Sequence, residues 1–183
     1  MKAIDYLVEE HDEILVFTNR LEEECLKIME DKIIDEEFFR ASIKFIRQYA
    51  DGVHHKKEED ILFKYMEENL GVAAGKLVRS GMLVEHQFGR SYCLNIEENL
   101  NKYLEDKKEI YILQILANSM GYVNLLRAHI EKENTVVYPF GEKNLSNELK
   151  EKIELEFDET ISKEKELDKE KLKLKKIIFK GEL

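Results

Sequence analysis

The chain has 183 residues, 43% hydrophobic and 37% charged, with one proline and no tryptophan. That is enough apolar content for one well-buried domain and too much for a chain disordered throughout. Its 39 acidic against 29 basic residues give a formal charge of -10, which argues against a nucleic-acid-binding surface, because phosphate contacts need a positive footprint.

Residues 3–30 place Ile4, Leu7, Ile14, Leu21, Cys25 and Ile28 at helical spacing with glutamates opposite, predicting an uninterrupted amphipathic helix. Asp35 starts a second helix, with Glu36 and Glu37 favourable in its first turn. Its stripe runs through Phe39, Ile43, Ile46 and Ala50 to Ile61, Leu62 and Tyr65, and Asn69-Leu70-Gly71 form its stop. Residues 72–81 predict a short helical connector. A third helix over 82–104 carries Met82, Leu83, Cys93, Ile96 and Leu100, and Asp106-Lys107-Lys108 mark a turn. The fourth covers 109–137 and is closed by Tyr138-Pro139-Phe140-Gly141, because proline removes a backbone donor. Beyond it, Leu145, Leu149, Ile153, Phe157 and Ile161 recur every fourth residue and predict a fifth amphipathic helix. The run KEKELDKEKLKLKKIIF over 163–179 has nearly cancelling charges; packing back on the bundle, pairing with another subunit and mobility all stay open for it.

The expected architecture is all-α: an antiparallel up-down-up-down four-helix bundle over 1–141, with an additional charged C-terminal helical segment over 142–183 available for homo-oligomer formation. Acidic residues interrupt MKAIDYLVEEHDEILVF within a few positions, so no signal-peptide apolar region is expected, and no run is long enough to span a bilayer. Cys25 and Cys93 lie far apart in no CxxC pattern, which disfavours a disulfide framework. A cytoplasmic chain with no membrane partner is the resulting expectation.

The histidines carry the chemistry. His54-His55-Lys56-Lys57-Glu58 and His129-Ile130-Glu131-Lys132-Glu133 each set a histidine and a glutamate four residues apart, on adjacent turns of one helix face. His11 falls between Leu7 and Ile14 on the first helix, and His86 between Met82 and Cys93 on the third. Alone, His11 or His86 reads as an ordinary core histidine, and one such His–Glu pair means little in so charged a chain. Together, four imidazoles and two carboxylates converge on one core, and unpaired buried carboxylates are costly enough to require a cation. Mixed imidazole and carboxylate ligation suits iron, manganese or zinc. Six ligands with two bridging carboxylates predict two ions, one on His11 and His54, the other on His86 and His129, with Glu58 and Glu133 between them. An oxo or hydroxo bridge and exchangeable water would fill the remaining positions, and such openness favours reactivity over a closed structural site.

His55 points about 100° away from His54 around an α-helix and is assigned an outer hydrogen-bonding or surface role. Glu59, Glu85 and Glu131 are read as solvated, with Glu59 or Glu85 alternatively standing behind the ligands. Tyr122 and Tyr65 lie seven residues from His129 and Glu58; both are expected to face the core. They are read first as core tyrosines with partnered hydroxyls, second as donors to bound oxygen species or participants in one-electron chemistry.

His11, HHKKEEDILF at 54–63, EHQFGR at 85–90 and HIEKENTVVYPF at 129–140 together resemble the hemerythrin-like, or HHE cation-binding, domain family over about residues 3–140. The resemblance implies a four-helix bundle with a carboxylate-bridged diiron centre held by His11, His54, Glu58, His86, His129 and Glu133. One departure matters: oxygen-carrying members place a further histidine one turn before the position of His86, where this chain has Met82. A thioether is a poor ligand for hard ferric iron, so the third-helix iron is expected to be more open, and reversible oxygen carriage is not implied. The six-residue set is also similar to that of iron–sulfur cluster repair diiron proteins, a partial fit because those usually carry a cysteine-bearing N-terminal segment. The expected function is a non-haem diiron protein that binds or reacts with dioxygen, nitric oxide or peroxide in sensing or stress protection, with an electron donor as a further partner. Its alternatives are an iron-handling or iron-sensing protein whose fold depends on metal, and a metal-stabilised helical interaction module. No phosphate-binding loop, nucleophile elbow or cofactor fingerprint points to an enzyme with an organic substrate.

Overall fold

The computed structural model describes residues 1–164 and 167–180, and every regular element in it is helical. Helix α1 (Lys2–Asp31) ends where Lys32 turns into the left-handed region and its N–H reaches the Ile28 carbonyl. Asp35 then caps α2 (Glu36–Phe45), its carboxylate accepting from the Phe38 N–H at 3.0 Å. The rod does not stop at Phe45. It continues through π-helical stretches at Ile46–His55 and Glu58–Phe63 into α3 (Lys64–Asn69), one helix over 36–69.

Gly71, at φ +71, lets the chain turn into α4 (Gly71–Leu77), a conformation that L side chains rarely adopt. A third π-helical stretch, Val78–Met82, leads into α5 (Leu83–Asp106), and Lys107 in the left-handed region turns it towards α6 (Glu109–Lys132). The fourth helix runs past its expected close. A π-helical stretch at Glu133–Val137 joins α6 to α7 (Tyr138–Asn144), and Pro139 follows directly on that stretch. The break comes at Leu145, which is extended. The Ser146 hydroxyl accepts from the Leu149 N–H at the start of α8 (Asn147–Glu164), and α9 (Asp168–Ile178) follows.

Helices α1, 36–69, α5 and α6 form the four-helix bundle in up-down-up-down order: α1 and α5 each pack on α6, and the 36–69 rod packs on α5 and α1. The C-terminal helices lie outside it and fold back on it. Helix α8 packs on α1 with Ile153 and Phe157 buried, and α9 packs on α2 with Leu174 and Ile178 buried. Lys165 and Glu166 of the charged run, and residues 181–183, lie outside the described residues. Among those described, no helix is long and apolar enough to cross a membrane.

The apolar core is split in two. One cluster gathers Phe17, Phe39, Phe45, Leu100 and Ile115, and the other Leu7, Leu62, Phe63, Met82 and Phe157. His11 stands in α1 between Leu7 of one cluster and Ile14 of the other. The layer between the clusters is polar, and it is where the histidines meet.

Candidate metal centre

The rod 36–69 supplies three of the converging side chains through its π-helical stretches, where i→i+5 bonding widens the turn. Such local insertions often accompany functional sites. His11, His54, Glu58, His86, His129 and Glu133 are all at most 2% exposed. The ligand atoms of His11, His54, Glu58 and Glu133 lie within 4.8 Å of one another, as do those of His55, Glu58, His86 and His129. The structure thus brings together all six side chains singled out from the sequence, and Glu58 belongs to both groups.

His55 corrects its expected place at the periphery. It is buried, and its ring stacks on His86 with centroids 3.8 Å apart. The physical reason is the wider π-helical turn: neighbouring side chains there are separated by a smaller angle than in an α-helix, so His54 and His55 both face inward.

All five imidazoles share one polarity. Nδ1 of His11 lies 2.8 Å from Asn134 Oδ1, that of His54 2.9 Å from Glu10 Oε2, and that of His55 3.2 Å from Asp51 Oδ1. Nδ1 of His86 lies 2.6 Å from Glu59 Oε1, and that of His129 2.8 Å from Glu85 Oε2. Each Nδ1–H therefore donates outward to an oxygen, which leaves each Nε2 lone pair turned inward. This is the arrangement that orients histidine ligands and raises their basicity. Glu59 and Glu85, read first as solvated and alternatively as standing behind the histidines, take the second place against His86 and His129, whereas Glu131 is exposed.

Several of the inward atoms lack a hydrogen-bond partner among the protein's own groups. The Nε2 atoms of His54 and His55, Oε2 of Glu58 and both carboxylate oxygens of Glu133 are buried without a hydrogen bond. His86 and His129 bring their Nε2 atoms to 3.1 Å, and Glu133 lies 3.2 Å from both His11 Nε2 and His129 Nε2. Burial, then the charge of Glu133, pushes the Glu58 carboxyl well above the usual range. Burial holds the His54 imidazole well below its ordinary value and takes His55 down to about 3, with its neighbouring imidazoles adding to the effect. Two buried carboxylates and several imidazole Nε2 atoms aimed at one point fit divalent or trivalent cations.

Further groups surround this layer without any local sequence signal. The buried Tyr138 hydroxyl donates to Glu58 Oε1 at 2.5 Å and lies 3.3 Å from His11 Nε2. Lys57, fully buried, donates to Glu10 at 2.9 Å and to Glu164 at 2.9 and 3.0 Å. It thereby links α8 to the carboxylate behind His54. Of the two tyrosines expected in the core, Tyr122 is buried with its hydroxyl unpartnered. Tyr65 is half-buried and donates outward to Glu156 at 2.6 Å, because its position in α3 faces α8 rather than the histidine layer.

The model of the hemerythrin HHE cation-binding domain matches residues 2–140 of this chain. No curated protein and no solved structure matches it.

Proposed function

Because the chain belongs to the hemerythrin HHE cation-binding family, we propose that it is a non-haem diiron protein that binds or reacts with dioxygen, nitric oxide or peroxide in sensing or stress protection. The observation that carries this reading is the set of buried, unpartnered ligand atoms facing one another across the polar layer. His11 and His54 would hold one iron and His86 and His129 the other, with Glu58 and Glu133 between them and an oxo or hydroxo bridge. His55 adds a fifth imidazole on the side of His86, where Met82 offers no ligand for hard iron. When bound, the pair supplies one-electron chemistry and open coordination positions for a small ligand. The chain's own residues do the rest. The Nδ1 partners fix each ring, the two apolar clusters keep bulk water from the layer, and Tyr138 holds a proton beside Glu58. Two free, buried cysteines suit a reducing compartment, and we place the protein in the cytoplasm on that ground, with an electron donor as its partner.

The test is anaerobic. Iron-loaded, reduced protein is exposed separately to dioxygen, nitric oxide and peroxide while its visible spectrum is followed. A change with at least one of them supports the reading, and silence with all three sinks it. A second reading, iron sensing, draws on the same carboxylates: without a cation, the core holds two buried acids with no counter-charge, so metal-free protein should loosen. Equal protease resistance of metal-free and iron-loaded protein would exclude it.

A further inference from the structure

A cavity of about 280 Å³ lies between the first π-helical stretch, α5 and α6. Its buried wall includes His55, Gly89, Cys93 and Tyr122, and its exposed edge is formed by Arg47 and Arg90. We propose that this cavity is the access route and holding site for the small ligand of the metal centre, and that Tyr122 is the hydroxyl that hydrogen-bonds to it. This rests on the diiron reading above and adds to it the place and the partner of the ligand.

Three observations converge. First, the Tyr122 hydroxyl is buried without a partner, and an unpartnered buried hydroxyl is costly to keep. Its ring is fixed edge-on to Phe17, so the hydroxyl cannot easily swing out to solvent. A ligand that accepts a hydrogen bond would satisfy it. Second, His55 is shared. It lines the cavity, and its ligand atom belongs to the group formed with Glu58, His86 and His129. The cavity therefore adjoins the metal-binding layer and is not an isolated void.

Third, the space is made by a missing side chain. Gly89 lies inside α5, where glycine costs about 1 kcal/mol relative to alanine. An added Cβ would meet the Tyr122 ring at 3.8 Å, Leu126 at 3.9 Å and Leu125 at 4.0 Å, ordinary contacts, so alanine fits. Larger side chains would grow into the cavity. At the edge, Arg47 is paired with Glu97 at 2.6 Å, and Arg90 with Asp51 at 2.7 Å and Glu59 at 2.8 Å. Both guanidinium groups are thus held by carboxylates at the edge of the cavity. The volume is ample for molecules of the size of dioxygen, nitric oxide or peroxide.

The experiment uses the full chain, iron-loaded and reduced, with nitric oxide as the probe, and compares wild type with Gly89→Ala, Gly89→Leu and Tyr122→Phe by stopped-flow absorbance. Metal content and helicity are measured on each protein. Gly89→Leu is expected to slow nitric oxide association at least tenfold, with Gly89→Ala intermediate. Tyr122→Phe is expected to leave association within about twofold and to speed dissociation roughly tenfold, the worth of one hydrogen bond to a bound ligand. Xenon, followed by xenon NMR on zinc-loaded protein, should enter the wild type and be excluded by Gly89→Leu. Unchanged nitric oxide rates in both Gly89→Leu and Tyr122→Phe, in proteins that carry two irons, would overturn the cavity proposal and leave the diiron reading standing. A wild type that takes up no iron pair would overturn the diiron reading itself, and this proposal with it. Should Gly89→Leu lose its helicity, Tyr122→Phe decides: an unchanged dissociation rate overturns the proposal.

Discussion

Lys57→Met isolates the chain of contacts that reaches from α8 to His54. The Lys57 ammonium is fully buried and bonds Glu10 at 2.9 Å and Glu164 at 2.9 Å, while Glu10 in turn holds His54 Nδ1. Methionine keeps much of the stem's packing and removes only the charge and its hydrogen bonds. Glu10 then remains buried without its cation. Even with Lys57 in place, burial pushes its carboxyl up to about 7. Breaking a buried pair by removing one partner costs about 3–5 kcal/mol. For a chain of this length that corresponds to a fall in melting temperature of roughly 6–20 °C. Because Glu10 orients His54, affinity for metal should also drop about 10–100-fold. The double variant Glu10→Gln with Lys57→Met removes the pair together, and its loss should be smaller than the sum of the single losses. Urea denaturation at fixed metal concentration and competition against a chelator read the two effects. Stability within 1 kcal/mol of wild type, with unchanged metal affinity, would refute the reasoning.

Gly52 lies in the π-helical stretch that carries His54 and His55, and a Cβ there would come within 2.9 Å of the Arg47 carbonyl oxygen. Backbone cannot yield as a side chain does, so Gly52→Ala should lower stability by about 1–3 kcal/mol and weaken metal binding, as measured by denaturation and chelator competition. Removing α9 uncovers Leu174 and Ile178, whose burial is worth at most about 3–6 kcal/mol together; the urea midpoint should fall accordingly, and an unchanged midpoint would contradict the packing described. Burial pushes the thiols of Cys25 and Cys93 up to about 11, so at pH 8 only about one in a thousand is thiolate. Alkylation of the native protein should be slow, rise about tenfold per pH unit and become fast on denaturation.

The four long helices were legible because their apolar residues recur with a period that needs no tertiary information. Asp35 as a cap and Gly71 as a break were legible for the same local reason. The convergence of six side chains is legible because His11, His86 and the two His–Glu pairs all fall on inward stripes, and no pattern of solvated charge produces that alignment. The winding was not legible. Whether a helix bonds to i+4 or i+5 depends on what packs against it, and so periodicity alone sets His55 in an outer position and ends the fourth helix at Val137. Tyr138 and Lys57 were missed for a related reason. Each finds its partner 80 or more residues away or in a neighbouring helix, as with Glu58 and Glu164, and no spacing within one segment encodes such a contact.

The most direct test of the central claim is the metal content of protein expressed in full and purified without air, read by elemental analysis with the absorbance recorded before and after oxidation. Two irons per chain and a new charge-transfer band on oxidation are the expected result. Less than one metal per chain, or tightly held zinc with no oxygen-dependent band, would contradict it and would make the polar layer a structural site.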